Sequence, residues 1–234
     1  MEKYFNIDYL WTALPVLLPY LWITLLIAAL SVFFGTIVGL FLAMAKLSKS
    51  KTLRFLANGY TTIIRCTPSI VLLFLVYYGI PAFFENILFI DIQSLHTGVF
   101  VVITFSLQFA SMMSEVIRSS YEAIDKGQYE AAESLALGYW KTQGLVILPQ
   151  ALKLVIPGLV NTIIALFKDT SLVIIIGLFD LFSSVQQATV DPAWLGMSTE
   201  GYVFAALIYW IFCFSMSRYS QHLEKRFNTG RTPH

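Results

Sequence analysis

Apolar residues in this chain run in long blocks separated by short polar stretches. No acid or base occurs between Asp8 and Lys46, between Arg65 and Glu85, between Asp91 and Glu115, or between Glu200 and Arg218. Each interval supplies roughly the 20 apolar residues that a helix needs to cross the hydrocarbon core of a bilayer. A further block, about Leu154 to Phe179, is interrupted only by the adjacent Lys168 and Asp169. The pattern predicts five membrane-spanning helices, near residues 20–45, 56–80, 98–117, 155–179 and 201–218. Pro15 and Pro19 are expected ahead of the regular part of the first, since proline is tolerated at a helix start and disruptive inside one.

Composition agrees. Of 234 residues, 57% are hydrophobic and 12% charged, with a mean hydropathy of +0.72, against about a quarter charged in soluble domains. The leader MEKYFNID carries as many acids as bases, and the apolar run after it exceeds the short core of a signal peptide, so the first span is expected to stay in the protein. Five spans place twelve bases on one side: Lys46, Lys49, Lys51 and Arg54; Arg118, Lys126, Lys141 and Lys153; and Arg218, Lys225, Arg226 and Arg231. The other side holds only Lys3, against Glu2, Asp8, Glu85, Asp91, Asp180, Asp191 and Glu200. The positive-inside rule then predicts an external N-terminus and a cytoplasmic C-terminus. Four spans would send the basic tail outside, so the charge count supports the fifth.

Soluble-site chemistry is sparse. Cys66 and Cys213, like His96, His222 and His234, are isolated, so neither a metal site nor a catalytic set is expected. No Walker A match is present, and ATP, if used, must be held by another subunit. The longest polar segment, residues 118–153, is too polar to span and too patterned for a simple linker. Good helix formers from Gln128 to Leu137 predict a short helix, with Gly138 as a left-handed stop. Ala131, Ala132 and Leu135 would form its small apolar face, with Glu130 and Glu133 outward. Such a helix either lies at the membrane interface or docks into a groove on another protein.

EAAESLALGYWKTQGLVILP, within that segment, resembles the cytoplasmic loop of the membrane subunits of binding-protein-dependent ABC importers. Glu130, Ala131, Ala132, Val146, Leu148 and Pro149 match its pattern, while Ala136 stands where the family usually has glycine. RCTPSIVLLFLVYYGIP, SEVIRSSYEAIDKGQYEAA, LPQALKLVIPGLVNTIIALFKDTSLV and YSQHLEKRF narrow the resemblance to permeases for polar and general amino acids. Ser119 and Ser120 depart from it where glycine is common. The resemblance implies an all-α integral membrane fold of the type I ABC importer permease kind, one transmembrane domain over 1–234 in a bacterial inner membrane. Its coupling segment, 118–153, would lie between spans three and four. It also implies an identical or homologous permease subunit, two cytoplasmic ATPase subunits that hold ATP and Mg2+, and an external amino-acid-binding protein, with no cofactor in this chain and no nucleic acid partner. Gln128, Glu130, Ala131, Ala132, Ala136 and Gly138 would then form the ATPase-coupling element.

The Lys168–Asp169 pair carries the remaining chemistry. An ionised side chain at bilayer depth costs roughly 3 kcal/mol unless protein or water satisfies it, and neither half of the block it divides would span alone. Such an interruption is expected where backbone and charge are enclosed by protein or line a cavity. An amino acid offers a carboxylate and an ammonium, so the substrate pathway needs receptors for both. Lys168, Thr170 and Ser171 are candidates for the first and Asp169 and Glu115 for the second, with Arg65 and Thr67 added by the resemblance. Arg65 and Glu115 are expected near a membrane boundary. The competing reading of the pair is an internal salt bridge that only holds the subunit together. An ion-coupled secondary transporter is the competing function, but such proteins usually repeat the broken helix in a second half, and only one is seen here.

Overall fold

A computed structural model describes residues 8–188 and 198–228; Glu2, Lys3, Asp191 and Arg231 of the charge count lie outside them. The described residues are helical: α1 Asp8–Leu47, α2 Lys51–Cys66, α3 Ser69–Leu88, α4 Thr97–Glu122, α5 Lys126–Ser134, α6 Tyr139–Ile176, α7 Leu181–Ala188 and α8 Ser198–Asn228. Five of them are long and apolar enough to cross a membrane, at Leu17–Leu47, Ser69–Leu88, Thr97–Glu122, Tyr139–Ile176 and Thr199–Arg226.

The first, second and fourth spans depart from expectation. Helix α1 runs through Pro15 and Pro19. Starting the helix only after them in an apolar surrounding would strand its first N–H groups, a larger loss than the bonds two prolines remove. The second passage is split, because Thr67 precedes Pro68 and is pushed into extended backbone (φ −93°, ψ 125°). The span therefore begins at Ser69 rather than near 56. In α6 the α-helical part continues from Leu148 through Lys168 and Asp169, then tightens into 3-10 geometry at Thr170–Ile176. The hydroxyls of Thr170 and Ser171 donate back to the carbonyls of Phe167 (2.7 Å) and Lys168 (2.8 Å), so the chain stays hydrogen-bonded where a gap was expected.

Helix α4 is the central member, packed by α1, α2 and α6. Val101, Phe105 and Phe109 on it are fully buried and join Ile27, Leu73, Leu166 and Phe167 in the main core. Close approach of α1 comes from Gly35 and Gly39, a small-residue pair one turn apart. A Cβ at Gly35 would lie 2.9 Å from both the Phe109 side chain and the Ser106 carbonyl. Gly158 does the same for α6, where a Cβ would sit 2.6 Å from Val116 on α4.

The short helix α5 covers Lys126–Ser134 rather than Gln128–Leu137, and its left-handed stop is Ala136 (φ 53°), not Gly138, which is extended (φ −67°, ψ 158°). Leu137 N–H donates to the Ala132 carbonyl (3.0 Å) and Ala136 N–H to that of Glu133 (2.8 Å), the paired bonds of a Schellman turn. That turn sets the left-handed position by distance from the helix end, so the residue there must comply, at about 1 to 2 kcal/mol for an alanine. The expected apolar face also divides: Ala131 and Leu135 are exposed, while Ala132 turns inward and is buried. Ser120 is buried and the Ser119 hydroxyl donates to Val116.

Candidate functional site

Three helices bring polar side chains together beside the middle of α4. Gln108 lies 11 residues into this 26-residue helix, Ser69 opens α3 just after the Thr67–Pro68 break, and Asp169 closes the α-helical part of α6. Asp169 Oδ2 accepts from the Ser69 hydroxyl (2.9 Å) and from Gln108 Nε2 (2.7 Å), and Nε2 also reaches Ser69 Oγ (2.8 Å). These bonds fix the amide, since its oxygen turned toward Asp169 would face a like charge. Gln108 Oε1 therefore points away, and it is buried with no partner among the described residues. Leaving a buried acceptor unmade costs about 1 to 3 kcal/mol. The cluster can thus offer a carboxylate and a spare amide oxygen to an incoming N–H donor.

Lys168 does not join it. Its side chain is exposed and makes no ion pair among the described residues, so the internal salt bridge of the competing reading is not formed there. Consecutive residues on a helix point about 100° apart. Asp169 therefore faces α3 and α4, while Lys168 and Ser171 line a separate cavity of about 260 Å³ with Phe182, Tyr202 and Tyr209. Behind that cavity, Asp180 is fully buried. Its Oδ1 accepts from Ser183 N–H (2.9 Å) and Ser183 Oγ (2.6 Å), and its Oδ2 accepts from Tyr209 OH (3.2 Å). Burial pushes the Asp180 carboxyl above its usual range, against those hydrogen bonds. It anchors the start of α7.

Glu115 belongs to a second network. Its Oε1 pairs with Lys46 (2.5 Å) and its Oε2 with Arg118 (2.8 Å), which also reaches Glu122 (2.5 Å). Lys46, counted as a loop base, ends α1 with its side chain 1% exposed, and it also donates to Ser114 Oγ (3.0 Å). Glu115 is therefore occupied. Arg65 is exposed and unpaired among the described residues. Tyr60 OH donates to Leu107 O (2.9 Å) and Ser111 Oγ to Thr61 O (3.3 Å), which sets α2 beside the middle of α4, with Arg65 four residues before Ser69 across the Thr67–Pro68 break. Thr67 Oγ1 is engaged by its own helix, at Ile63 O (2.8 Å).

Ser69, Gln108 and Lys46 are the residues that sequence reasoning missed. Ser69 and Gln108 are uncharged, and a search for charges inside apolar runs passes over them. The available signal was a lone amide in an otherwise apolar passage, ITFSLQFASMM. On α5, Gln128 Oε1 accepts from Gln150 Nε2 (2.9 Å), and Glu130, Ala131, Ala136 and Gly138 are exposed. Ile124, Ile147 and Ala151 pack nearby and join the α4–α5 connection to α6.

Residues 35–229 match the family model described as "Binding-protein-dependent transport system inner membrane component". Over 212 residues the chain is 64% identical to the inner membrane amino-acid ABC transporter permease protein YhdY of Escherichia coli, covering 91% of this chain and 56% of that protein. It is 34% identical to the probable amino-acid ABC transporter permease protein YckA of Bacillus subtilis, covering 97% of this chain and 95% of the relative. It thus spans little more than half the length of the Escherichia coli relative. The fold superposes on a crystal structure of an amino acid ABC transporter with histidines at a TM-score of 0.81 and 29% identity, over 97% of this chain and 100% of the other.

Proposed function

This chain belongs to the family of binding-protein-dependent transport system inner membrane components, and from that premise we infer that it is a membrane subunit of an ATP-driven amino acid importer. It forms the translocation pathway with an identical or homologous permease subunit. Two ATPase subunits, holding ATP and Mg2+, act on the side of α5, and an external amino-acid-binding protein delivers substrate. The excess of bases in the loops and tail supports placing α5 and the C-terminus in the cytoplasm.

The observation that carries the site assignment is the buried, unpartnered Gln108 Oε1 beside the Asp169 carboxylate. An α-ammonium has three N–H donors and no acceptor. One N–H bonds the Asp169 carboxylate, and a donor that reaches Gln108 Oε1 recovers the cost of the unmade bond. Asp169, Gln108 and Ser69 thus hold the amine, while Thr170 and Ser171, engaged with their own backbone, keep the end of α6 rigid. The exposed residues Glu130, Ala131, Ala136 and Gly138 meet the ATPase. Gln128 and buried Ala132 attach that element to the rest of the chain. Motion of α5 reaches Asp169 through the Gln128–Gln150 bond and the 22-residue α-helical run Leu148–Asp169, a rod about 33 Å long.

The assembled complex in liposomes tests this reading. Amino acid uptake is expected only with the binding protein outside and ATP on the α5 side. Uptake driven by an ion gradient without ATP overturns it in favour of a secondary transporter.

A further inference from the structure

The polar face of α2 has no account in the site just described. Lys51, Arg54, Asn58, Thr62 and Arg65 recur at steps of three and four, so they form one stripe along the helix. All five are exposed, and none of the three bases has an ion pair among the described residues. No acid lies on α2 at all. The helix is turned by contacts on another side, where Ala57 and Thr61 are buried and Tyr60 and Thr61 bond to α4. Those bonds set α2 beside the middle of α4, and Arg65 lies four residues before Ser69, across the Thr67–Pro68 break.

An unpaired guanidinium at such depth is expensive in lipid and is found facing protein or a water-filled cavity. The stripe runs from the basic segment 46–54 to within four residues of Ser69, whose hydroxyl bonds Asp169. Like charges gathered on one face add their fields at the surface beside them. Here that field is positive. Of the acids near it, Asp169 is held by Ser69 and Gln108, and Glu115 is taken up by Lys46 and Arg118.

We propose that Arg65 and the basic stripe of α2 select substrate by charge, favouring amino acids of net negative charge and opposing those of net positive charge. The proposal rests on the importer reading and names the substrate class for the same pathway. The Asp169 cluster takes the ammonium common to every amino acid. The stripe acts on the side chain and on the departing carboxylates.

Glutamate and glutamine test it, being nearly equal in size and different by one charge. Uptake of each is measured in liposomes holding the whole complex and a constant binding protein, normalised to assembled complex. Arg65→Gln is expected to lower glutamate uptake about tenfold and glutamine uptake less than threefold, as removal of one nearby charge predicts. Arg65→Lys keeps the charge and should keep the ratio; Arg65→Glu should depress glutamate further. Equal losses for both substrates in Arg65→Gln overturn the proposal, and so does a ratio that Arg65→Lys changes as much as Arg65→Gln does. So does a wild-type complex that carries glutamine but no glutamate. Absence of ATP-dependent uptake for any amino acid removes the importer reading itself, a result distinct from either.

Discussion

Two carboxylates bind partners along α4, and they are treated in opposite ways. Glu115 is closed by charge, with Lys46 on one oxygen and Arg118 on the other. Asp169 is held by two neutral donors, next to an amide oxygen that has no partner among the described residues. The first arrangement fastens the end of α1 to α4 and leaves little capacity for anything else. The second is under-satisfied by its own chain, and spare capacity is what a transient ligand requires. A charge inside a membrane protein is thus informative less by its presence than by what its neighbours leave unfilled.

Asp169→Asn gives the largest expected effect. Removing the anion from a desolvated charge contact costs on the order of 3 kcal/mol, so uptake per assembled complex should fall about a hundredfold while subunit yield stays near wild type. Loss of assembly in proportion to uptake would make the two carboxylates alike and end the contrast. Lys46→Met should do the reverse. It leaves Glu115 with Arg118 alone and should lower stability in detergent by about 2 kcal/mol, read as a drop in unfolding temperature, with uptake per intact complex unchanged. Pairing it with Glu115→Gln should recover part of that loss, since no charge is then left half-paired. The smallest effect belongs to Ser69→Ala. One neutral donor is worth about 1 kcal/mol, so uptake should fall about fivefold while the unfolding temperature hardly moves.

Much of the fold was legible because a bilayer imposes a crude rule. Twenty residues without charge must be helical and must cross, and the counts between Asp8, Lys46, Arg65 and Glu85 carry that information without any contact being known. Geometry that depends on partners was not legible. Lys46 looks like a loop base until Glu115 is placed beside it. Gly138 looks like the turn residue because glycine is the usual choice, whereas the hydrogen bonds of α5 assign that conformation to Ala136. Asp169 was found by its charge, but Gln108 and Ser69, which give it meaning, lie 61 and 100 residues away in the chain. No local pattern encodes that meeting.

The missing side chain of Gly158 has a mechanical consequence. It presses the backbone of α6 against Val116 at a point ten residues after Leu148 and eleven before Asp169, roughly 15 Å from either end. Pro157, the residue before Gly158, withholds an N–H from the Lys153 carbonyl, so the contact sits where this helix bends most readily. A push on the Leu148 end is therefore taken up partly as bending at that point, and what reaches Asp169 depends on the angle between the two halves.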